Sequence, residues 1–179
     1  MQLVCPAGNL PALRAAVDAG ANAVYAGFRD QTNARAFPGL NFDEVELRAG
    51  IAYAHARGCQ VYLALNTYPE TAGLPVWRAA VDHAAELGCD AIIAAEMAVL
   101  EHAMRQHPTL ARHLSVQGSA TTAPALRYMH ERFGISRAVL PRVLSLQQVE
   151  RLCASSPVPL EVFAFGSLCI MVEGRCQLS

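Results

Sequence analysis

The chain has 179 residues, 53% of them hydrophobic and 16% charged, a makeup that excludes intrinsic disorder and fits one globular domain with a real core. Its net charge of −1 provides no general attraction for nucleic acid or an anionic membrane, so either partner would need a local basic patch. No apolar run approaches the roughly 20 residues that span a bilayer, and the start MQLVCPAGN has neither a basic n-region nor an apolar h-region, which leads to the expectation of a cytoplasmic protein.

In chain order, short apolar runs alternate with amphipathic stretches. QLVC predicts a strand, Asn9 to Ala19 a helix, NAVYAG a strand, Phe42 to Arg57 a helix and QVYLAL a strand. Leu74 to Leu87 reads as a helix, DAIIAA as a strand, Met97 to Gln106 as a helix, HLSVQ as a strand and Thr122 to Phe133 as a helix. RAVLP, Ser145 to Ala154 and LEVFAF then give strand, helix and strand. A weak internal echo supports this: AGANAVY, LGCDAII and FGISRAVL each place Gly at a helix end ahead of a buried strand, where it supplies a left-handed cap.

Strands apolar on both faces and separated by helices indicate a parallel sheet. The expected fold is α/β: an incomplete TIM-type (βα) barrel of about seven parallel strands and six helices, truncated before closure, with a doubly wound sheet as the alternative. Residues 1–179 read as a single N-terminal barrel domain with no linker or low-complexity segment. Asn9, Asp43 and Thr122 are expected N-caps.

All 14 basic residues are Arg; the absence of Lys removes Schiff-base and P-loop lysine chemistry from this segment. HExxH, GxSxG, GxGxxG and Walker motifs are also missing. His55, His83, His102, His107 and His130 fall on predicted helices, and His113 opens a strand; all six read as ordinary surface or helix-end residues. Glu44 and Glu46, and Glu96 and Glu101, read as solvated helix faces rather than an acid/base pair. Cys5, Cys59, Cys89 and Cys153 are scattered and expected to act as small core hydrophobes, Cys5 being also the candidate nucleophile, without an evident histidine.

In a parallel βα array, ligands bind at the carboxyl ends of the strands. The residues there are polar: Arg35 and Arg142 can each clamp a carboxylate, while Asn66, Gln117 and Ser119 can orient a polar substrate. This set points to a small anionic ligand. At the end of the chain, Cys169 and Cys176 lie seven apart among glycines, a spacing that leaves zinc, iron–sulfur, redox and packing roles open.

The last nineteen residues, EVFAFGSLCIMVEGRCQLS, resemble along their whole length the signature of peptidase family U32. CPAGNLPALRAAVDAGANAVYAG, TNARAFPGLNF, HLSVQGSATT and RAVLPRVLS are similar to the ubiquinone-biosynthesis (UbiU-type) branch of that family, so the resemblance covers essentially all of the chain. It implies an iron–sulfur subunit that pairs with a homologous, UbiV-like subunit as a heterodimer and supports oxygen-independent hydroxylation of a ubiquinone precursor ring. It further implies a [4Fe-4S] cluster whose first two ligands are Cys169 and Cys176, with two more cysteines expected downstream. Prephenate, a dicarboxylate that suits Arg35 and Arg142, is the oxygen source the resemblance suggests. Two alternatives stand beside this: a cluster-carrying scaffold without a catalytic site, and an RNA-base hydroxylase. The peptidase reading ranks below both, since the strand ends offer no evident nucleophile and base.

Overall fold

The computed structural model describes residues 1–166. Seven strands and six helices alternate through it: β1 (Val4–Pro6), α1 (Leu10–Asp18), β2 (Ala23–Ala26), α2 (Glu44–His55), β3 (Gln60–Leu65), α3 (Leu74–Leu87), β4 (Ala91–Ala94), α4 (Met97–Gln106), β5 (Ala111–Leu114), α5 (Ala123–Phe133), β6 (Arg137–Val139), α6 (Leu146–Ser155) and β7 (Leu160–Glu161). The strands form one sheet in the order β1 to β7, and every neighbouring pair is parallel. Sequential order with a helix in each crossover is the barrel pattern rather than the doubly wound one. Among the described residues β7 does not pair back to β1, so the fold is an incomplete TIM-type barrel.

Local chemistry sets the helix boundaries. Asn9 accepts from the Ala12 amide at 2.9 Å, Thr122 from Ala125 at 3.3 Å, and Asp43 and Glu46 form a reciprocal capping box on α2. Gly88 and Gly134 close α3 and α5 at φ 82° and 62°, where a Cβ would be strained, as the repeated Gly-before-strand pattern anticipates.

Two strands depart from expectation. β5 runs Ala111–Leu114 instead of His113–Gln117: Arg112 anchors an earlier start by donating to the Phe133 carbonyl at 3.1 Å, and the Ser115 side chain caps the 3₁₀ turn Val116–Gly118 that ends the strand. β7 stops at Glu161 instead of running through Phe165. Val162, Phe163 and Phe165 are exposed, and an apolar strand needs a neighbour on each side to bury both faces.

The pleat divides the sheet into two faces. Val24, Val61, Leu63, Ile92, Leu114 and Ala138 point outward and pack under Leu13, Leu47, Ile51, Val81, Leu100 and Leu126 of the helices, all of them fully or almost fully buried. Ala23, Tyr62, Ala91 and Ile93 form a smaller cluster on the inward face, flanked by Val4, Tyr25 and Ala111. Cys59 and Cys89 are buried as expected, but Cys153 is exposed on α6, whose buried stripe is carried by Leu152 one position away.

Candidate active site

The inward face is where the sheet becomes polar. Strand register carries three stepped rows of residues across it: Tyr25, Tyr62 and Ala91; Ile93, His113 and Arg137; and Val139 opposite Glu161. Barrel interiors are usually filled with bulky branched side chains. Here Ala23, Ala91 and Ala111 leave room that Tyr, His, Arg and Glu occupy.

The Arg137 guanidinium donates from Nη1 to a Glu161 carboxylate oxygen at 3.3 Å, with side-chain exposures of only 16% and 21%. Arg137 also bonds the Gln2 side chain and lies 5.5 Å from the Tyr62 ring centroid. Tyr62 meets His113 edge-on, with ring centroids 4.6 Å apart, and its hydroxyl donates to Gln60 Oε1 at 2.9 Å. The result is a polar column running through the barrel interior. His113 is 5% exposed, and its Nδ1 has no hydrogen-bond partner among the described residues. Burial, aided by the Arg137 charge, pushes the imidazole down to about 4, so it is neutral near pH 7. A buried ring nitrogen without a partner can bond a ligand or a water.

Tyr25 stands toward the mouth of the column. Burial raises its phenol above the ordinary value, the Glu161 carboxylate raises it further, and the Arg35 guanidinium opposes both. The phenol is therefore neutral and able to donate or accept. The charges of Arg35 and Glu161 thus both act on the Tyr25 phenol, with opposite sign.

The loop carrying Arg35 is tied down by amides. The Asp30 carboxylate accepts from the Thr32 amide at 2.8 Å and hydroxyl at 2.6 Å, and Thr32 is fully buried. Asn33 Nδ2 donates to the Phe28 carbonyl at 3.2 Å, while its Oδ1 accepts from the Arg35 amide at 3.0 Å. Asn41, in left-handed backbone at φ 70°, bonds the Arg35 carbonyl through its side chain and the Gly8 carbonyl through its own amide. Gly27 makes this packing feasible: a Cβ there would collide with the Asn33 side chain. Arg35 is thus held by its backbone while its exposed side chain sits at the barrel mouth.

The other predicted residues fall into different situations. Asn66 follows β3, and its Oδ1 accepts from the Ala34 amide at 3.0 Å, so it positions the Arg35 loop. Gln117 sits in the 3₁₀ turn after β5, where its carbonyl accepts from the Tyr68 hydroxyl at 2.9 Å. Ser119 ends that turn in left-handed backbone at φ 50°. Arg142 follows β6, with its guanidinium 4.9 Å from the Phe163 ring centroid. Glu96, at the end of β4, caps α4 through the Ala98 amide at 3.1 Å. Cys169 and Cys176 lie outside the described residues.

Tyr25, Tyr62, His113, Arg137 and Glu161 were missed as site residues because each sits inside a strand pattern. One charged residue in each of two otherwise apolar strands, Arg137 in β6 and Glu161 in β7, is the available signal, since a strand buried on both faces has no ordinary use for it. Cys59 and Cys89 do not suit metal ligation; burial raises both thiols, that of Cys89 to about 12.

The family profile of peptidase family U32 matches residues 8–179. The chain belongs to peptidase family U32. Tested against curated proteins, this U32 chain is 33% identical over 99% of its length to tRNA hydroxylation protein P of Escherichia coli, and 34% identical over 100% to its namesake of Helicobacter pylori. It spans 39% and 42% of those relatives' lengths, about two-fifths. A solved U32 peptidase superposes with TM-score 0.73 at 17% identity, covering 90% of this chain and 68% of that one, which supports the fold. No helix among the described residues is long and apolar enough to cross a membrane.

Proposed function

We propose that this chain is the barrel portion of an oxygen-independent hydroxylase that inserts oxygen into a planar ring held at the mouth of the lumen. The observation that carries the reading is the polar column of Tyr25, Tyr62, His113, Arg137 and Glu161, opening beside Arg35 at the carboxyl ends of the strands. Its aromatic walls suit a flat ring, and its neutral phenols and imidazole can bond ring substituents without burying a new charge. Arg35 and Arg142 would bind the carboxylates of an anionic oxygen donor such as prephenate, with Asn66, Gln117 and Ser119 shaping the rim.

Cys169 and Cys176 would provide two thiolates to a [4Fe-4S] cluster. The described cysteines do not compete for that role, with two buried and protonated and the others apart on β1 and α6. When bound, such a cluster supplies one-electron redox chemistry. A homologous, UbiV-like subunit would complete the complex.

The ring we favour is a ubiquinone precursor. Supporting it are the UbiU-type sequence motifs and the net charge of −1, which lacks the electrostatic footprint of an RNA binder. The second reading, a base in tRNA, is favoured by the names of the relatives. A third keeps this chain as the cluster-bearing scaffold and puts the chemistry in its partner. Deleting the gene and growing the cells without oxygen separates the first two. Loss of ring-hydroxylated ubiquinone precursors with unchanged hydroxylated nucleosides in tRNA is the expected result; the reverse pattern overturns it.

A further inference from the structure

We propose that Asp82, His102 and His107 form a binding site for a divalent metal ion of the zinc class, clipping α3 to α4 on the outer wall of the barrel. Asp82 lies on α3, His102 on α4, and His107 is the residue that caps the C-terminus of α4. Both Nε2 atoms lie 2.7 Å from the same Asp82 Oδ1, and the three potential ligand atoms all fall within 4.8 Å of one another. His107 leaves helical backbone at φ −131°, which turns its ring back toward Asp82 instead of outward along the helix. The two imidazoles meet at 65° with centroids 6.4 Å apart, so their Nε2 atoms converge without the rings stacking.

Imidazoles on a helix surface ordinarily face water. Two of them aimed at one carboxylate oxygen make a half-assembled coordination shell. Metal–ligand bonds of about 2.0–2.2 Å at tetrahedral angles separate neighbouring ligand atoms by roughly 3.3 Å. The 2.7 Å contacts in place would thus open by roughly 0.6 Å or slightly more, a modest rotation for half-buried side chains. Exposures of 17% for His102, 26% for His107 and 43% for Asp82 leave one side open for entry of the ion and for a water as fourth ligand.

The donor set selects the metal. Two imidazoles with one carboxylate suit Zn2+, Co2+ or Ni2+, whereas Mg2+ and Ca2+ favour shells of oxygen alone. Helices in this fold run back toward the amino ends of the strands, so a site in the second half of α3 and at the end of α4 lies away from the barrel mouth. Its effect is to stabilise the α3–α4 pair, independent of any hydroxylation.

Titrating the full-length protein, its cluster cysteines kept occupied by the cluster, with Co2+ and then Zn2+ tests this, read as difference spectra against the untitrated protein. We expect one equivalent of Co2+ to give visible d–d bands without the near-ultraviolet sulfur-to-cobalt band of a cysteine site. Zn2+ should displace it and raise the thermal midpoint in proportion to the logarithm of its concentration, while Mg2+ does neither. Asp82→Asn and His107→Gln should each weaken binding by about 10-fold or more and abolish the shift. His107 is the more exposed histidine, so its variant provides a folded test if a change at His102 perturbs α4. Absence of saturable one-equivalent binding overturns the proposal, as does binding left intact by both substitutions or marked only by the sulfur band.

Discussion

The two faces of the sheet obey different rules. The outward face is a continuous apolar layer in which Val24, Leu63, Ile92 and Ala138 are fully buried beneath the helices. The inward face, carried by the same strands, places Tyr25, Tyr62, His113, Arg137 and Glu161 where a barrel ordinarily packs branched aliphatics. One face accounts for folding; the other holds polar groups whose burial costs stability unless something uses them. Substitutions that separate stability from activity are the way to sharpen this contrast.

The largest stability effect belongs to the outward face. Leu63→Ala should cost about 2–5 kcal/mol in denaturant unfolding, since the helices above it cannot collapse fully into the gap. Next comes His113. Its ordinary value is 6.5 and its folded value about 4, so the unfolded chain takes up the proton first as pH falls. Its contribution is present above pH 6.5 and is lost progressively down to pH 4, on the order of 3 kcal/mol in all. Subtracting the unfolding curve of His113→Leu from that of the native chain over that range should isolate this slope; parallel curves would place His113 outside a desolvated lumen.

Gly27→Ala should have a smaller effect, about 1–3 kcal/mol, by driving Asn33 off the Phe28 carbonyl and loosening the Arg35 loop. Here the loss of activity should exceed what the loss of stability explains. The smallest change is Cys153→Ser on the exposed side of α6, expected within about 0.5 kcal/mol by thermal unfolding.

How much of this could be read from the chain follows the same division. Periods of two and 3.6, the cap residues Asn9, Asp43 and Thr122, and the glycines before strands are local signals, and they gave the number and order of elements. The boundaries of β5 and β7 depend on tertiary partners that the local pattern does not carry: the Phe133 carbonyl held by Arg112 in one case and a neighbouring strand in the other. Arg35 was visible in a polar loop. Asn66 was visible too, though its side-chain oxygen turns out to hold the Ala34 amide. The lumen residues were not, because a histidine in HLSVQ or an arginine opening RAVLP acquires meaning only when register brings five strands around one axis. The convergence of His102 and His107 on Asp82 likewise needs two packed helices.

The most direct test of the lumen as the working site is Tyr25→Phe in the full-length complex, read by hydroxylated product and by unfolding midpoint together. Removing one hydroxyl at the mouth should lower product formation about 10-fold or more while stability moves by less than about 1 kcal/mol. Undiminished product formation from a stably folded Tyr25→Phe complex would contradict the account and leave the chain as a scaffold for chemistry carried elsewhere.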